Sequence, residues 1–393
     1  MPSNFCLPIQ RHMFTLAITH LVLVTLLMSW IYFGFASVPK LIDEEPLTDG
    51  ELPSLTIVFG ARNEEAELER ALRSLIAIDY PDLEIIAVND RSTDTTGEIM
   101  DRVGCESDRL QIIHNDSLPD GWLGKNYVLQ LASQQASGEY ILMTDADVSM
   151  KADALRRAMA FAKREEWDHV AGLPHIDMPT ALLQCMGIMF FQFFSILFKP
   201  WKARDPRSKA HVGIGAFNLV KTAVYRDIGM HEPIKMRPDD DVRFGWLIKK
   251  HGYRQCLVNA ADCVSVPWYT KLRDMIVGLE KNSLAGLNYH VWLVPLGMTM
   301  LAAFFLWPLV APFVLASPAC WIYASVNVVI LIAMMVAASD NAVNPFYTVL
   351  YPLTIVLLIW ATTRATVLTL WQRGIYWRGT FYSLKELRAN TLD

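Results

Sequence analysis

Leu55-Thr56-Ile57-Val58-Phe59-Gly60-Ala61-Arg62-Asn63-Glu64-Glu65 is the stretch that decides the fold. Its first five residues are apolar or β-branched, which describes a strand buried on both faces, and Gly60 opens the turn that ends it. Over 65–76 the apolar positions Leu68, Ala71, Leu72 and Leu75 recur at helical spacing, until Tyr80-Pro81 breaks the pattern. A second strand is expected at 84–88, a helix at 94–103, and two more strands at 110–114 and 140–143. This alternation over 52–270 predicts an α/β domain on a mostly parallel sheet. Ligands of such sheets lie beyond the carboxyl ends of the strands, so the residues after each strand are the ones to read for chemistry.

Those residues are acidic. Arg62-Asn63-Glu64-Glu65 follows the first strand, Asn89-Asp90-Arg91-Ser92-Thr93-Asp94 the second, and Thr144-Asp145-Ala146-Asp147 the fourth. Carboxylates gathered on one rim without a matching cationic cluster call for a divalent cation that bridges a diphosphate, because hard cations prefer carboxylate and phosphate oxygens. Taken singly, each motif also has a plainer reading. Asp145-Ala146-Asp147 suits a turn or a cap for a helix starting near Ala152, and Asp90 and Asp94 suit a turn and cap. Farther along, Arg237-Pro238-Asp239-Asp240-Asp241 precedes a helix expected at 242–251. Three adjacent carboxylates raise one another's pKa and so prepare a base, or they simply favour the helix dipole.

With Gly121-Trp122-Leu123-Gly124-Lys125-Asn126 added, these motifs resemble, in order, those of the family 2 glycosyltransferases over roughly residues 52–290. The resemblance implies a GT-A fold, a Rossmann-like sheet fused to an acceptor-binding half. It assigns Ala61, Arg62, Asn63 and Glu64 to the donor pocket and Asp90 to the nucleoside base. It also places Lys125 beside the phosphates and gives Asp145 and Asp147 the task of holding Mn²⁺ or Mg²⁺ on the diphosphate. Asn89 stands where the family often has aspartate. Asp241, with Asp240 as the alternative, takes the place of the general base, and direct displacement by the acceptor inverts the anomeric centre. Gly215 falls in an acceptor-side strand expected over 211–218. Processive members carry Q-x-x-R-W, which this chain lacks. Trp268, Arg273 and Lys281 stand in that region and are assigned to the acceptor side. In this respect the chain is similar to non-processive ceramide glucosyltransferase-like and carotenoid or hopanoid lipid glycosyltransferases. The implied donor is a UDP-sugar, or a GDP-sugar, and the acceptor a lipid. The alternative is a GT-A-fold binding or scaffold subunit without turnover.

The rest of the chain speaks of lipid. Hydrophobic residues make up 53% and charged residues 19%, and the net charge of −5 excludes the basic face that nucleic-acid binding needs. Apolar runs at 13–38, 291–315, 319–338 and 346–363 are each long enough to span a bilayer, and no Lys or Arg occurs between Lys281 and Arg364. The run at 181–198 ends in Lys199-Pro200-Trp201-Lys202 and is expected to lie in the interface or to be buried, because a crossing there would separate the acidic motifs. Six scattered cysteines form no CxxC pair and read as packing residues of a reduced domain. The predicted domains are an N-terminal anchor (1–40), a catalytic domain (50–290), transmembrane helices (291–370) and a basic amphipathic tail (371–393). The expected location is a bacterial inner membrane, with the catalytic domain in the cytoplasm. One conflict stands. Three C-terminal spans would carry the tail across, yet its Arg373, Arg378, Lys385 and Arg388 prefer the cytoplasmic side. The run 291–315, with Pro295, Pro308 and Pro312, is the candidate re-entrant element, and the span count is three or four.

Overall fold

The structure, a computed structural model, describes residues 6–390. The outermost residues of the expected anchor (1–5) and tail (391–393) lie outside the described residues, as does the side chain of Cys6. The elements begin with α1 (Cys6–Ala36), β1 (Leu55–Ala61), α2 (Leu68–Ile76), β2 (Leu83–Asp90), α3 (Thr96–Gly104) and β3 (Leu110–Asn115). They continue with α4 (Gly124–Gln135), β4 (Tyr140–Met143), β5 (Ser149–Met150), α5 (Ala154–Arg164), β6 (His169–Leu173), β7 (His175–Asp177) and α6 (Ala181–Phe198). Next come β8 (Asn218–Lys221), α7 (Thr222–Asp227), α8 (Asp240–Lys250), β9 (Gln255–Asn259), β10 (Val264–Pro267) and α9 (Leu272–Ser283). The last are α10 (Leu293–Leu301), α11 (Trp307–Val314), α12 (Ala319–Asp340), α13 (Tyr351–Gln372), β11 (Gly374–Trp377), β12 (Thr380–Ser383) and α14 (Leu384–Ala389).

Two compact units share these elements. One holds Val38–Asp177, Phe198–Trp268 and the chain from Arg373 onward. Its main sheet has the order β3-β2-β1-β4-β8-β6-β9, and a small sheet has the order β5-β10-β7. Strands β1, β2, β3 and β4 pair in parallel, whereas β8 runs antiparallel to both β4 and β6. The strand order turns back between β1 and β4, the switch point where open α/β sheets bind ligands. All of β1 except Gly60 is buried, and the apolar stripe of α2 seats Leu68, Ala71, Leu72 and Leu75 in the core.

Two boundaries differ from expectation for a visible reason. Helix α2 starts at Leu68 rather than at Glu65, because Glu64 and Glu65 are occupied by bonds to Thr96 and Thr95 in the neighbouring loop. Residues 211–217 form a loop, and the strand begins only at Asn218. The amides of Val212, Ile214 and Gly215 donate to Gln255 Oε1, Asn218 Oδ1 and Asp241 Oδ2 at 2.9, 3.0 and 3.0 Å, so side chains take the bonds a sheet would have used.

The other unit holds the chain up to Ser37, Met178–Leu197 and Tyr269–Gln372. Among the described residues, five helical stretches are long and apolar enough to cross a membrane: Gln10–Ala36, Ala181–Lys202, Leu293–Val314, Ala319–Asp340 and Pro345–Gln372. Within this unit α1 and α11 pack on α12, and α9 and α10 pack on α13. Helix α6 packs among them, with Phe191 against Phe35 and Phe193 edge-on to Phe305. Several polar groups here are satisfied internally, which apolar surroundings favour. Asn327 Nδ2 donates to Pro308 O at 2.6 Å, Tyr351 Oη donates to Asn327 Oδ1 at 2.7 Å, and Arg364 pairs with Glu280. Cys185, Cys256 and Cys263 are buried as packing residues, but Cys105 is exposed and packs nothing.

Candidate active site

The loops after β1 and β2 are laced together. Asn63 and Arg91 take left-handed backbone angles, φ 54° and 55°, which an L residue adopts only where its surroundings hold it. Here they do. Asn63 N–H donates to Ser92 Oγ at 3.1 Å, Thr93 N–H to Asn63 Oδ1 at 2.8 Å, and Glu64 N–H to Thr96 Oγ1 at 2.8 Å. The Asn63 side chain is thereby committed to the loop. Asp94 accepts from the Thr96 amide at 3.0 Å, the capping use that its plainer reading foresaw.

Asp90, buried at the end of β2, is neutralised. Its oxygens accept from Arg91 Nε and Nη2 at 2.8 Å each, and Oδ1 also accepts from Asn115 Nδ2 at 3.0 Å. Arg62 Nη1 lies 4.0 Å away, and Ala61 is fully buried in the sheet. Gly124, the first residue of α4, comes so close that a Cβ there would stand 2.7 Å from Asp90 Oδ2 and 2.9 Å from Arg91 Nη2.

At the end of β4 the arrangement is different. Lys125 Nζ lies 2.9 Å from Asp145 Oδ1 and 3.5 Å from Asp240 Oδ2. Burial alone would lower the pKa of this ammonium, but Asp145, Asp240 and Asp241 outweigh it and hold the pKa above its ordinary value. Asp147 forms no ion pair within salt-bridge distance among the described residues. Burial, then Asp145 and Glu64, push its carboxyl up to about 7. Glu64 is itself raised, by burial first, against the pull of Arg378.

Gly215 joins the two acidic motifs. Its amide donates to Asp241 Oδ2 at 3.0 Å, and a Cβ in its place would stand 2.8 Å from Asp145 Oδ2 and 3.2 Å from Lys125 Nζ. A larger residue there would push the Asp145 and Lys125 side chains aside. Asp241 Oδ1 accepts from the Val242 amide at 2.8 Å. Burial raises the Asp241 carboxyl, opposed by Lys125 and aided by Asp145. A small cavity is lined by Lys125, Thr144, Gly215, Asp240 and Asp241, with Met143 beneath.

The three adjacent aspartates have different surroundings. Asp239 accepts from Arg237 Nε at 2.9 Å and from Arg243 Nε at 3.0 Å, with Arg237 fully buried. Asp240 faces Lys125, and the Asp241 carboxyl is raised, by burial first.

Among the described residues, no three His, Cys, Asp or Glu side chains form a ligand cage. Asp145 and Asp147 still fit a hard cation. Mg²⁺ and Mn²⁺ sites at phosphates commonly use one or two carboxylates and complete the shell with substrate and water. The raised carboxyl of Asp147 marks negative charge that the protein itself does not neutralise.

Residues 56–229 match the family model described as glycosyl transferase family 2. This segment, less than half of the chain, is similar to that family. Over 227 residues it is 24% identical to the poly-beta-1,6-N-acetyl-D-glucosamine synthase of Staphylococcus aureus (strain COL), covering 57% of this chain and 53% of that protein. Over 119 residues it is 30% identical to the beta-monoglucosyldiacylglycerol synthase of Nostoc sp. (strain PCC 7120), covering 30% of this chain and 25% of that one. The chain thus spans about half the length of the first of these relatives, and less of the second. Among solved structures, the mannosyltransferase PcManGT from Pyrobaculum calidifontis, in complex with GDP-Man and Mn²⁺, superposes with a TM-score of 0.54 at 18% identity. That likeness covers 92% of this chain and 99% of the other, and it shows the GT-A fold.

Within the sheet-bearing unit, the structure brings together Arg62 with Asp90, and Lys125 with Asp145, Asp240, Gly215 and Asp241. Trp268 is half-buried just after β10 and closes a segment of the same unit. Arg273 and Lys281 sit on α9, which belongs to the apolar unit. Three participants escaped the sequence reading: Asn115, which holds Asp90, and Arg378 and Tyr382 of the C-terminal hairpin. The pair Arg378-Gly379 between two short β-prone runs is a hairpin signal that a closer reading of the tail would have caught.

Proposed function

We propose that the chain transfers single sugars, with inversion, from a nucleoside diphosphate sugar to an acceptor hydroxyl or phosphate at a membrane. The interlock of Lys125, Asp145, Gly215 and Asp241 carries this reading, because it sets a turn suited to a diphosphate beside a half-buried carboxylate of raised pKa. Asp90 and Arg62 serve the nucleoside base, and Lys125 offers its ammonium to the phosphates. When bound on Asp147 and Asp145, Mn²⁺ or Mg²⁺ supplies positive charge to the departing diphosphate. Asp241 accepts the proton of the acceptor hydroxyl, and the Gly215 amide keeps its carboxylate aimed. Asp240, engaged with Lys125, is the lesser candidate for the base.

A UDP-sugar is the favoured donor, with a GDP-sugar as the other. The extent of apolar helix and the missing Q-x-x-R-W motif favour a lipid acceptor and single transfer over polymer growth. The chain leaves the sheet-bearing unit after Trp268 and rejoins it at Arg373, which supports an even number of crossings in between. Three full crossings in all follow, with the proline-bearing stretch Leu293–Val314 re-entrant and the basic tail on the catalytic side. Because nucleotide sugars are cytoplasmic, that side is the cytoplasm, here of a bacterial inner membrane.

The test is incubation of the full-length protein in detergent with Mn²⁺, labelled UDP- or GDP-sugars and a bacterial lipid extract. Label moving into the lipid phase supports the proposal. Label found only in a water-soluble polymer contradicts it.

A further inference from the structure

The C-terminal hairpin occupies a place in the catalytic unit that its sequence does not announce. Strands β11 and β12 pair Trp377 with Thr380 across a two-residue turn, Arg378-Gly379, whose φ angles are 46° and 78°. Two left-handed residues make the tight hairpin turn that matches strand twist, although arginine is costly at its first position. Its side chain shows what that backbone holds in place. Arg378 Nη1 donates to the Arg62 carbonyl at 3.0 Å, and Nη2 donates to Glu64 Oε1 at 2.6 Å. Its charge also reaches Asp147.

Across the hairpin, Tyr382 is 6% exposed. Its hydroxyl is within the influence of the Gly124 backbone at the start of α4 and of the charges of Arg91 and Arg62. Gly124 and Arg91 both pack on Asp90. The hairpin is anchored from behind. Ile375, Leu384 and Leu387 are buried, and Ser383 and Glu386 form a reciprocal cap at the start of α14.

We propose that this hairpin is part of the donor site, with Arg378 and Tyr382 closing the pocket that takes the nucleoside diphosphate. The inference rests on the donor reading of the β1, β2 and β4 ends and adds residues that the family 2 match, ending at residue 229, does not include. A guanidinium bonded to Glu64, with its charge felt at Asp147, is a fork suited to phosphate oxygens, whereas an aromatic side chain near Arg62 and Arg91 suits a base and ribose. A hairpin serving only to tie down the tail would need neither group pointed at this rim.

The test uses the full-length protein in detergent and compares wild type with Arg378→Ala, Arg378→Lys and Tyr382→Ala. UDP and GDP binding are measured by calorimetry with Mn²⁺, together with donor and acceptor KM and the melting temperature. Arg378→Ala is expected to weaken diphosphate binding and raise donor KM about tenfold or more, the loss of a charge-assisted contact, with acceptor KM unchanged. Arg378→Lys, which keeps the charge but not the fork, falls between. Tyr382→Ala weakens binding as well. If Arg378→Ala does not fold, Arg378→Lys decides: donor KM within twofold of wild type overturns the proposal. Equal diphosphate affinity in wild type and a folded Arg378→Ala also overturns it. Wild type that binds neither UDP nor GDP refutes the donor reading itself, a different and distinguishable failure.

Discussion

The end of β2 and the end of β4 look alike in sequence, each a run of carboxylates after an apolar strand, yet they are built in opposite ways. At β2, Asp90 is met by a bidentate guanidinium and an amide, so its charge is spent. At β4, Asp147 and, through Gly215, Asp241 are half-buried beside other carboxylates, and both carboxyls are pushed upward. The difference separates recognition from chemistry. A neutralised carboxylate can hold a shape against a base, whereas one with charge left over takes up a cation or a proton.

If that distinction holds, the largest effect comes from stripping divalent cations. Chelation with EDTA is expected to take turnover to background and Mn²⁺ or Mg²⁺ to restore it, as followed by nucleoside diphosphate release. Turnover that survives chelation would erase the contrast between the two strand ends. Asp147→Asn is next. It is expected to cut kcat/KM by about 10²–10³, because it removes a ligand whose effect is felt as the diphosphate leaves, and to shift the Mn²⁺ requirement upward in a titration of rate against metal.

Asp239→Ala sharpens the comparison from the other side. It strands the fully buried Arg237 and is expected to cost about 3–5 kcal/mol of stability, read from denaturant or thermal unfolding.

A further effect is in pH. His169 and His231 are buried, and burial pushes their pKa values down to about 4 and about 3. The unfolded chain binds these protons near pH 6.5 while the folded chain refuses them until far lower. Stability is therefore full above 6.5 and declines as pH falls toward 4, by about 1.4 kcal/mol per histidine per unit. A melting temperature flat between pH 7 and 5 would contradict this.

The sheet was legible because its strands are apolar runs whose burial leaves no choice of face, as in 55–59 and 140–143. The loop at 211–217 was not, since its amides are claimed by Gln255, Asn218 and Asp241, partners 4 to 43 residues away that no local pattern reveals. The acidic motifs were legible as motifs. Their division of labour was not, because Asp239, Asp240 and Asp241 are equivalent as letters and become different only when Arg237, Lys125 and Gly215 arrive. The tail read as basic and amphipathic, and nothing local in 373–390 points to Glu64, some three hundred residues earlier.

Asp241 bears the most weight, and one paired measurement reaches it directly: diphosphate binding and diphosphate release by purified wild type and Asp241→Asn, with Mn²⁺ and acceptor present. The predicted result is unchanged UDP or GDP affinity with release slowed by about 10²–10⁴, the range for losing a general base. Release at the wild-type rate by Asp241→Asn would show that the proton goes elsewhere.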